Sequence, residues 1–441
     1  MRLDTDEIAA ATGGQRLGDP VGIDGASIDS RGDIAGRLFV PVVAARDGHE
    51  FIDSALDAGA TAYLTARPDT TGRPAVQVND TLRALGDLGR LARARLGDRV
   101  VGVTGSVGKT STKDLLAAVL ATTYRTCANE ASFNNEMGVP LTLLSASEDT
   151  EAVVTEMGAR GIGHIAMLSD LARPTVGVVT AIAGAHLEMF GSVAEVAVAK
   201  GELVEALPAS GTAVLNVDFD LVAGLAARTE ASVLRYGIDR ADVDVHAEDL
   251  ALGDDLRPKF TLRTPWGSAP VHLAVHGVHQ ASNALGAAAA GLALGVDLEA
   301  VVDALGRAAL SPMRMDVRRR GDGLVVIDDT YNANPTSMAA ALHALAAVDA
   351  ERRIAVLGEM AELGATSPDE HRAIADLAGT LGIAVIAVGT TLYGPGTHVV
   401  GGTGEVIILL GGAGVGLGEG DAVLVKGSRV AGLESVARRL A

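Results

Sequence analysis

The sequence predicts an α/β protein with three domains: a small mixed α/β N-terminal domain, a central domain with a mostly parallel sheet, and a C-terminal Rossmann-like domain. A chain of 441 residues is too long for a single hydrophobic core. From about residue 98 onward, short β-rich apolar runs alternate with segments of helical periodicity, which is typical of a parallel sheet covered by helices. We expect the domains to span residues 1–97, 98–311 and 312–441.

Composition excludes several classes of protein. Hydrophobic residues make up 48% of the chain and aromatic residues only 3%, so the cores consist of Ala, Val and Leu. A net charge of −19 argues against nucleic acids and anionic membranes as partners. The single cysteine, Cys127, fits a reducing compartment. Residues 1–7 lack a secretory core. The apolar run 281–305 is interrupted by Asn283, Asp297 and Glu299, so it is predicted to be a buried Ala-rich helix and not a membrane span. We therefore expect a soluble cytoplasmic protein without membrane insertion.

The N-terminal domain is predicted to contain strands at 38–40 and 62–64, a helix at 51–58, and a helix at 83–96 that leads out of the domain. Two polar segments stand out, Ser30-Arg31 and Asp47-Gly48-His49. Either they bind a ligand or they are ordinary turns, and the residue pattern alone leaves both interpretations open.

The central domain opens with a glycine loop between a predicted strand and a predicted helix. Val100, Val101 and Val103 are β-formers, and apolar residues recur at helical spacing after Lys109. Glycines let backbone N–H groups turn around a phosphate at a helix N-terminus, while the lysine reaches the outer phosphates and the next hydroxyl binds Mg²⁺. Valine at position 103, where the usual motif has its first glycine, makes this a shortened form. An ATP site is therefore predicted at Gly105, Ser106, Val107, Gly108, Lys109, Thr110 and Ser111.

Further central strands are predicted at 152–155, 176–180 and 213–216. Polar residues follow the strand ends, where ligands collect in parallel sheets: Thr104, Glu156 and His186. Glu156 and His186 are candidates to bind or support Mg²⁺, and the alternative is a capping glutamate and a solvent-exposed histidine.

Lys200 lies within the apolar stripe of a helix predicted over 193–207. Burial lowers a lysine pKa, and a neutral amine reacts with CO₂ to form a carbamate, which can bind a metal. The alternative is a lysine that reaches solvent or pairs with a glutamate.

Four other polar residues are candidates for the nucleotide site. His279 and Asn283 are four residues apart on a helix, where they either read an adenine edge or cap the helix. Arg314 follows the domain junction and is expected to reach the γ-phosphate when the domains close. Asp329 is expected to hold a ribose or orient a nucleophile.

The C-terminal domain is predicted to contain strands at 324–327, 354–357, 385–388, 406–410 and 422–425, with helices near 336–347, 367–381 and 429–440. The segment Asn332-Ala333-Asn334-Pro335 is also typical of a turn and a helix cap.

Taken together, these segments resemble the ATP-dependent Mur ligases of peptidoglycan synthesis over nearly the whole chain. The matching segments are Thr-Gly-Ser-Val-Gly-Lys-Thr (104–110), Ser-Phe-Asn-Asn-Glu-Met-Gly-Val-Pro (132–140), Glu-Met-Gly-Ala (156–159), Ala-His-Leu-Glu (185–188), Ala-Lys-Gly-Glu (199–202), His-Gly-Val-His-Gln-Ala-Ser-Asn (276–283), Asp-Asp-Thr-Tyr-Asn-Ala-Asn-Pro (328–335) and Val-Lys-Gly-Ser-Arg (425–429).

The resemblance implies a role for each candidate. Catalytic roles fall to Lys109, Lys200, His186 and Arg314, with Lys200 carbamylated. Thr110, Glu156, His186 and Lys200 are implied at the metals, and His279, Asn283, Arg314 and Asp329 at the nucleotide. Substrate contacts are implied for Ser30, Arg31, Asp47, His49, Asn134, Asn135, Asn332 and Lys426. The segment 42–46 lacks the glycine usual before Asp-Gly-His, so the uridine-diphosphate contacts are not specified.

Within the family, the chain is similar to members that add D-alanyl-D-alanine to UDP-N-acetylmuramoyl-tripeptide. It lacks the Asp-Asn-Pro-Arg segment that is expected in the family members that add diaminopimelate or lysine. The resemblance implies ATP and Mg²⁺ as cofactors, an acyl-phosphate intermediate and a monomer. Two alternatives remain: a ligase similar to folylpolyglutamate synthase, which has little use for the first domain, and a phosphate-loop NTPase switch, which leaves Lys200 unexplained.

Overall fold

The computed structural model describes residues 1–68, 71–130, 133–184, 187–238, 240, 242–411 and 416–441. Within this part of the chain, strands and helices form three sheets of five, nine and six strands and one two-stranded ribbon. The predicted α/β class with mostly parallel sheets is confirmed. No helix among the described residues combines the length and apolarity needed to cross a bilayer.

The N-terminal unit contains the five-stranded sheet, with strand order β2-β7-β6-β5-β4, and the ribbon β1-β3. Its strands are β1 (Arg2–Asp4), β2 (Gln15–Leu17), β3 (Gly22–Asp24), β4 (Ala26–Ser27), β5 (Leu38–Phe39), β6 (Ala62–Thr65) and β7 (Ala75–Gln77). Its helices are α1 (Thr5–Thr12), α2 (Ile52–Asp57) and α3 (Thr81–Arg95), with a 3₁₀ turn at Gly48–Phe51.

The central unit contains the nine-stranded sheet, with strand order β16-β15-β14-β13-β12-β11-β8-β10-β9. Its strands are β8 (Val100–Thr104), β9 (Thr126–Ala128), β10 (Ala152–Glu156), β11 (Val176–Val179), β12 (Thr212–Asn216), β13 (Ser232–Ile238), β14 (Val245–Leu252), β15 (Pro258–Thr264) and β16 (Gly267–His272). Its helices are α4 (Lys109–Leu120), α5 (Gly138–Ser145), α6 (His164–Ala172), α7 (Leu187–Phe190), α8 (Val193–Glu205), α9 (Asp220–Ala223), α10 (Gln280–Ala293) and α11 (Leu298–Leu305), with a 3₁₀ helix at Gly224–Arg228.

The third unit contains the six-stranded sheet, with strand order β17-β18-β22-β19-β20-β21. Helices α12 and α13 cover one face and α14 and α15 the other, which is the doubly wound arrangement expected of a Rossmann-like unit. Its strands are β17 (Asp316–Arg319), β18 (Val325–Asp328), β19 (Arg352–Leu357), β20 (Ala384–Val388), β21 (His398–Val400) and β22 (Asp421–Lys426). Its helices are α12 (Pro335–Ala346), α13 (Ser367–Thr380), α14 (Thr403–Gly411) and α15 (Glu434–Leu440), with 3₁₀ turns at Gly364–Thr366 and Arg429–Ala431.

The strand predicted at 406–410 is wrong, because this segment belongs to helix α14. Val406 and Leu410 are buried four residues apart while Ile408 between them is 75% exposed, which is the pattern of a helix face. A short apolar run cannot by itself distinguish a buried strand from a buried helix. The edge strand that the sheet requires is instead β21.

Two other predictions need correction. The apolar run 281–305 forms two helices, α10 and α11, because Gly295 adopts a left-handed backbone (φ 87°) between them. The helix predicted over 429–440 begins only at Glu434, after Gly432, which is also left-handed (φ 60°). Strands β13–β16 were not predicted, although in β15 the buried residues Phe260 and Leu262 alternate with more exposed neighbours.

Helix α3 joins the N-terminal and central units. Buried residues of both units form one continuous hydrophobic cluster, and α3 packs against α5 and α6. Arg93 is buried in this contact and its guanidinium donates hydrogen bonds to four carbonyls. The acceptors are the carbonyl oxygens of Leu96, Gly97, Ala172 and Arg173, at 2.6–3.2 Å. One side chain therefore caps the C-terminal ends of α3 and α6 together.

We predict that Arg93→Met lowers the free energy of unfolding by roughly 2–4 kcal/mol, because the buried carbonyls lose their donors while the apolar volume is kept. Urea unfolding followed by circular dichroism measures the change. Arg83→Met on the exposed side of the same helix is the matched control. Equal midpoints for the two variants would contradict a bridging role for Arg93.

Candidate active site

The glycine loop lies between β8 and α4, where two close contacts require glycine. A Cβ on Gly105 (φ 149°) would lie 2.0 Å from Thr180 Oγ1, and a Cβ on Gly108 (φ 83°) would lie 2.4 Å from Asn283 Oδ1. Helix α4 begins at Lys109, as predicted. The loop therefore presents backbone N–H groups and a lysine at a helix N-terminus, which is the arrangement that binds phosphate.

Three parallel strands end beside this loop. Residue 103 of β8 pairs with Glu156 of β10, and Thr104 pairs with Val179 of β11, so the strand ends align. Glu156 is 1% exposed and accepts hydrogen bonds from Thr110 Oγ1 and Asn134 Nδ2, both at 2.7 Å. A buried carboxylate thus lies directly against the phosphate loop, as expected from the sequence.

Two lysines approach the same place, Lys109, which is partly buried, and Lys200, which is buried. Lys109 Nζ donates to the Gly105 carbonyl at 2.8 Å, and burial lowers its pKa. Burial, followed by the charge of Lys109, holds the pKa of Lys200 well below its ordinary value. Lys200 is 2% exposed, so the alternative in which it reaches solvent is excluded. A neutral amine at Lys200 is the form that reacts with CO₂.

Helix α10 brings an amide and an imidazole to the loop. Asn283 is 8% exposed; its Nδ2 donates to Gln280 Oε1 (2.7 Å), and its Oδ1 lies against the loop. With this orientation, Gln280 Nε2 donates to His279 Nε2 (3.2 Å), so His279 carries its proton on Nδ1. That buried Nδ1 has no partner in the described part of the chain, and burial lowers the His279 pKa. His279 is thus a neutral donor available to a ligand.

Arg314 links the third unit to the phosphate loop. Its Nη2 donates to Thr110 Oγ1 at 2.7 Å, and its guanidinium stacks on Tyr331 with Cζ 4.2 Å from the ring centre. Arg314 Nε is buried and has no partner among the described residues. The neighbours Met313 (φ 64°) and Met315 (φ 51°) are both left-handed, a strained backbone that turns this arginine toward the loop.

The carboxyl edge of the third sheet supplies a second cluster. Lys426 is 2% exposed and its Nζ donates to Asp329 Oδ2 (2.6 Å) and to the Asn332 carbonyl (2.9 Å). Asp329 Oδ1 accepts from the backbone N–H of Met315 (3.1 Å). Asn334 caps α12 in a capping box with Ser337, so the cap interpretation of this residue is confirmed.

One cavity of about 520 Å³ brings most of the predicted residues together. The predicted residues that line it are Ser106, Val107, Gly108, Lys109, Thr110, Ser111, Asn134, Asn135, Glu156, Lys200, His279, Asn283, Arg314, Asp329, Asn332 and Lys426. Other residues that line the cavity were not predicted from the sequence, among them Arg160, Thr180, Gln280 and Tyr331. Gln280 and Tyr331 lie within quoted motifs, whereas Thr180 carried no signal beyond its strand end. His186 lies outside the described residues.

Residues Ser30, Arg31, Asp47 and His49 do not line this cavity. His49 is buried; its Nδ1 pairs with Asp47 Oδ1 (2.7 Å) and its Nε2 accepts from the backbone N–H of Ala66 (3.0 Å). The bonds to His49 hold the pKa of Asp47 below its usual value. Arg31 is exposed and pairs with Asp29 at 2.9 Å. Asp47 and His49 thus stabilise a turn, and their role in ligand binding stays a prediction.

The donor set fits Mg²⁺ better than a transition metal. Thr110 and Glu156 offer a hydroxyl and a carboxylate beside the phosphate loop, and no group of three or more His, Cys, Asp or Glu side chains in the described ranges could hold a metal. Mg²⁺ typically takes one or two protein oxygens together with substrate phosphates and water. Two protein oxygens at a phosphate site therefore match that ion.

Comparison with known proteins identifies the family. The Mur ligase middle domain matches residues 103–291, and the glutamate ligase domain of Mur ligases matches residues 313–396. The chain is 42% identical to the UDP-N-acetylmuramoyl-tripeptide–D-alanyl-D-alanine ligase of Mycobacterium tuberculosis, covering 93% of this chain and 91% of that one. It is 36% identical to the Escherichia coli enzyme of the same name, covering 97% and 96%. The chain belongs to the Mur ligase family.

Solved Mur ligase structures share the whole fold. MurF from Acinetobacter baumannii superposes with a TM-score of 0.88 at 29% identity over 100% of this chain and 99% of that one. A second A. baumannii structure, with a TM-score of 0.86 at 30% identity over 100% and 98%, is described as a UDP-N-acetylmuramoylalanyl-D-glutamyl-2,6-diaminopimelate–D-alanyl-D-alanyl ligase. Thermotoga maritima MurF in complex with ADP has a TM-score of 0.78 at 27% identity over 94% and 97%.

In this Mur ligase we predict that Thr110→Val lowers ATP turnover on the order of a hundredfold, because the variant keeps the side-chain volume but removes the oxygen that contacts Glu156 and Arg314. Thr110→Ser retains the hydroxyl and is expected to remain within a few-fold of wild type. Phosphate release measures both variants. Full activity in the valine variant would show that this oxygen binds nothing that catalysis needs.

We also predict that Lys200 takes up ¹³C-labelled CO₂ as a carbamate, detectable by ¹³C NMR and absent from Lys200→Arg. Because the Lys200 pKa is lowered, its neutral amine persists to lower pH than that of an exposed lysine, and so does the carbamate. Lys113, whose ammonium pairs with Asp114 at 2.7 Å, supplies the control variant Lys113→Arg, which should keep the signal. A signal that survives Lys200→Arg would assign the carbamate elsewhere.

Proposed function

We propose that this Mur ligase joins D-alanyl-D-alanine to UDP-N-acetylmuramoyl-tripeptide at the expense of ATP, in peptidoglycan precursor synthesis. The observation that carries the proposal is the cavity in which the phosphate loop, a buried carboxylate and basic residues of two units meet. The relatives in M. tuberculosis and E. coli carry this activity in their names. The name of the A. baumannii relative includes a D-glutamyl residue, and we propose that the acceptor peptide of this chain contains the same residue.

The first step activates the acceptor. A carboxylate oxygen of the tripeptide attacks the γ-phosphorus of ATP, and the bond from that phosphorus to the β,γ-bridging oxygen breaks. ADP departs, and the tripeptide is left as an acyl phosphate. Attack brings two anions together, so positive charge must be in place beforehand. Lys109 in the phosphate loop and Arg314, which donates to Thr110, supply it, and Glu156 orients the Thr110 hydroxyl. Mg²⁺, held at Thr110 and Glu156, supplies further neutralisation of the phosphates.

The second step forms the amide. The free amine of D-alanyl-D-alanine attacks the activated carbonyl carbon, the C–O bond to phosphate breaks, and the amine loses a proton. We assign the dipeptide to the carboxyl edge of the third sheet, where Asn332 and Lys426 line the cavity. The backbone N–H of Glu188 donates to the carbonyl of Glu362 (3.3 Å), which is a contact between the central and third units at the lining of the cavity. Closure excludes water, which would hydrolyse an acyl phosphate.

The remaining assignments concern the ends of the substrates. We place the UDP end at residues 1–97, through Ser30, Arg31, Asp47 and His49, and the nucleotide at residues 98–311. His279 and Asn283 face the adenine, and residues 312–441 complete the site through Arg314 and Asp329. Asn134 and Asn135 contact the peptide, and His186 supports the metal. A single chain provides the whole cavity, which favours a monomer, and the nucleotide substrates favour the cytoplasm.

The test is phosphate release from Mg²⁺-ATP with UDP-N-acetylmuramoyl-tripeptide, with and without D-alanyl-D-alanine, and mass spectrometry of the product. We expect release to require both substrates and the product to be heavier by one dipeptide. Release that is indifferent to the dipeptide would favour an NTPase switch. Release that requires a different amino acid, such as glutamate, would favour a related ligase.

A further inference from the structure

We propose that Arg160 binds the glutamyl carboxylate of the acceptor peptide and so sets specificity for an acidic second residue. The inference rests on the proposed function, because it names a subsite for that substrate. Arg160 belongs to the loop between β10 and α6 and lines the same cavity as Glu156 and Lys109.

The backbone of this loop is held from three sides. Gly158 N–H donates to the Asn134 carbonyl (2.7 Å), and Arg160 N–H donates to His164 Nδ1 (3.2 Å). Glu202 of α8 accepts from Gly163 N–H (2.5 Å) and caps the N-terminus of α6. These hydrogen bonds hold the backbone at Arg160 in place, and the Arg160 side chain is exposed.

Other cations around the cavity already have partners. Lys426 pairs with Asp329, Arg314 with Thr110 and Tyr331, and Lys109 with the Gly105 carbonyl. Lys200 is only 2% exposed, within helix α8. Among the described residues, no hydrogen bond or ion pair engages the Arg160 guanidinium. Among the described cations of the lining, Arg160 is therefore the one whose guanidinium donors are all free to meet an incoming anion.

The chemistry of the substrate supplies that anion. Activation consumes one terminal carboxylate of the tripeptide, and the glutamyl residue adjoining the terminal residue keeps its own carboxylate throughout. A chain with a net charge of −19 repels such a ligand unless a local cation offsets the field. A guanidinium binds a carboxylate through two parallel N–H···O bonds, which a lysine cannot reproduce.

The experiment measures binding and turnover separately. Titration calorimetry with UDP-N-acetylmuramoyl-tripeptide gives its Kd, and steady-state kinetics give KM for all three substrates. We expect Arg160→Ala to raise Kd and KM for the acceptor by roughly 10- to 100-fold while leaving KM for ATP and for the dipeptide within about twofold. Arg160→Lys should recover only part of the loss. Arg83→Ala, an exposed arginine of α3 away from the cavity, is the matched control.

An acceptor whose glutamyl carboxylate is converted to the amide tests the assignment directly. Wild type should lose the same 10- to 100-fold in affinity, whereas Arg160→Ala should bind both acceptors equally. Additive losses, or unchanged acceptor affinity in Arg160→Ala, would overturn the subsite. If the wild-type protein binds the acceptor but does not consume the dipeptide, the proposed function is refuted, and the role of Arg160 can still be tested from the Kd values. If the wild-type protein does not bind the acceptor, both proposals are refuted.

Discussion

The hydroxyl of Thr110 is the point on which the rest of the site depends. It donates to Glu156 at the end of β10 and accepts from Arg314, which belongs to the junction with the third unit. One side chain of the phosphate loop thereby connects the central sheet, the loop and the third unit. Because Glu156 also accepts from Asn134, the network extends to the segment predicted to face the acceptor. A shift of the third unit therefore changes the environment of the same oxygen that we assign to the metal.

Helix α4 reinforces that connection along its length. Asp114, one turn beyond Thr110, accepts a hydrogen bond from the backbone N–H of Ser311 at 2.7 Å. The junction between the units is thus bound to one helix at two points, through Ser311 and Arg314. The left-handed backbone of Met313 lies between these two points and that of Met315 follows them, and the surrounding contacts offset the conformational cost of both. The nucleotide-binding helix and the orientation of the third unit are consequently coupled through local geometry.

The sequence predicted this site better than it predicted the elements around it, for a physical reason. Parallel strands align their carboxyl ends, so locating β8 and β10 was enough to bring Glu156 next to the loop. The same logic does not apply to edge strands such as β16, where polar residues face solvent, or to the segment 406–410, where local hydrophobicity suits a strand and a helix equally. Contacts made across units, such as those of Arg93, depend on distant chain segments and leave no local signal.

Electrostatics explains why an acidic protein can hold several anions at once. The net charge of −19 acts over the whole surface, where solvent and salt screen it, while Lys109, Arg314, Lys426 and Arg160 all line one cavity. Asp329 pairs with Lys426 of this cluster, and Glu156, which accepts a hydrogen bond from Thr110, adds a second carboxylate to the lining. The lining is therefore not uniformly positive. Lys200 differs, because burial beside Lys109 favours its neutral amine. Carbamylation would convert that amine into an anion facing the Lys109 ammonium, so the cation that suppresses protonation of Lys200 also stabilises the product of its reaction with CO₂.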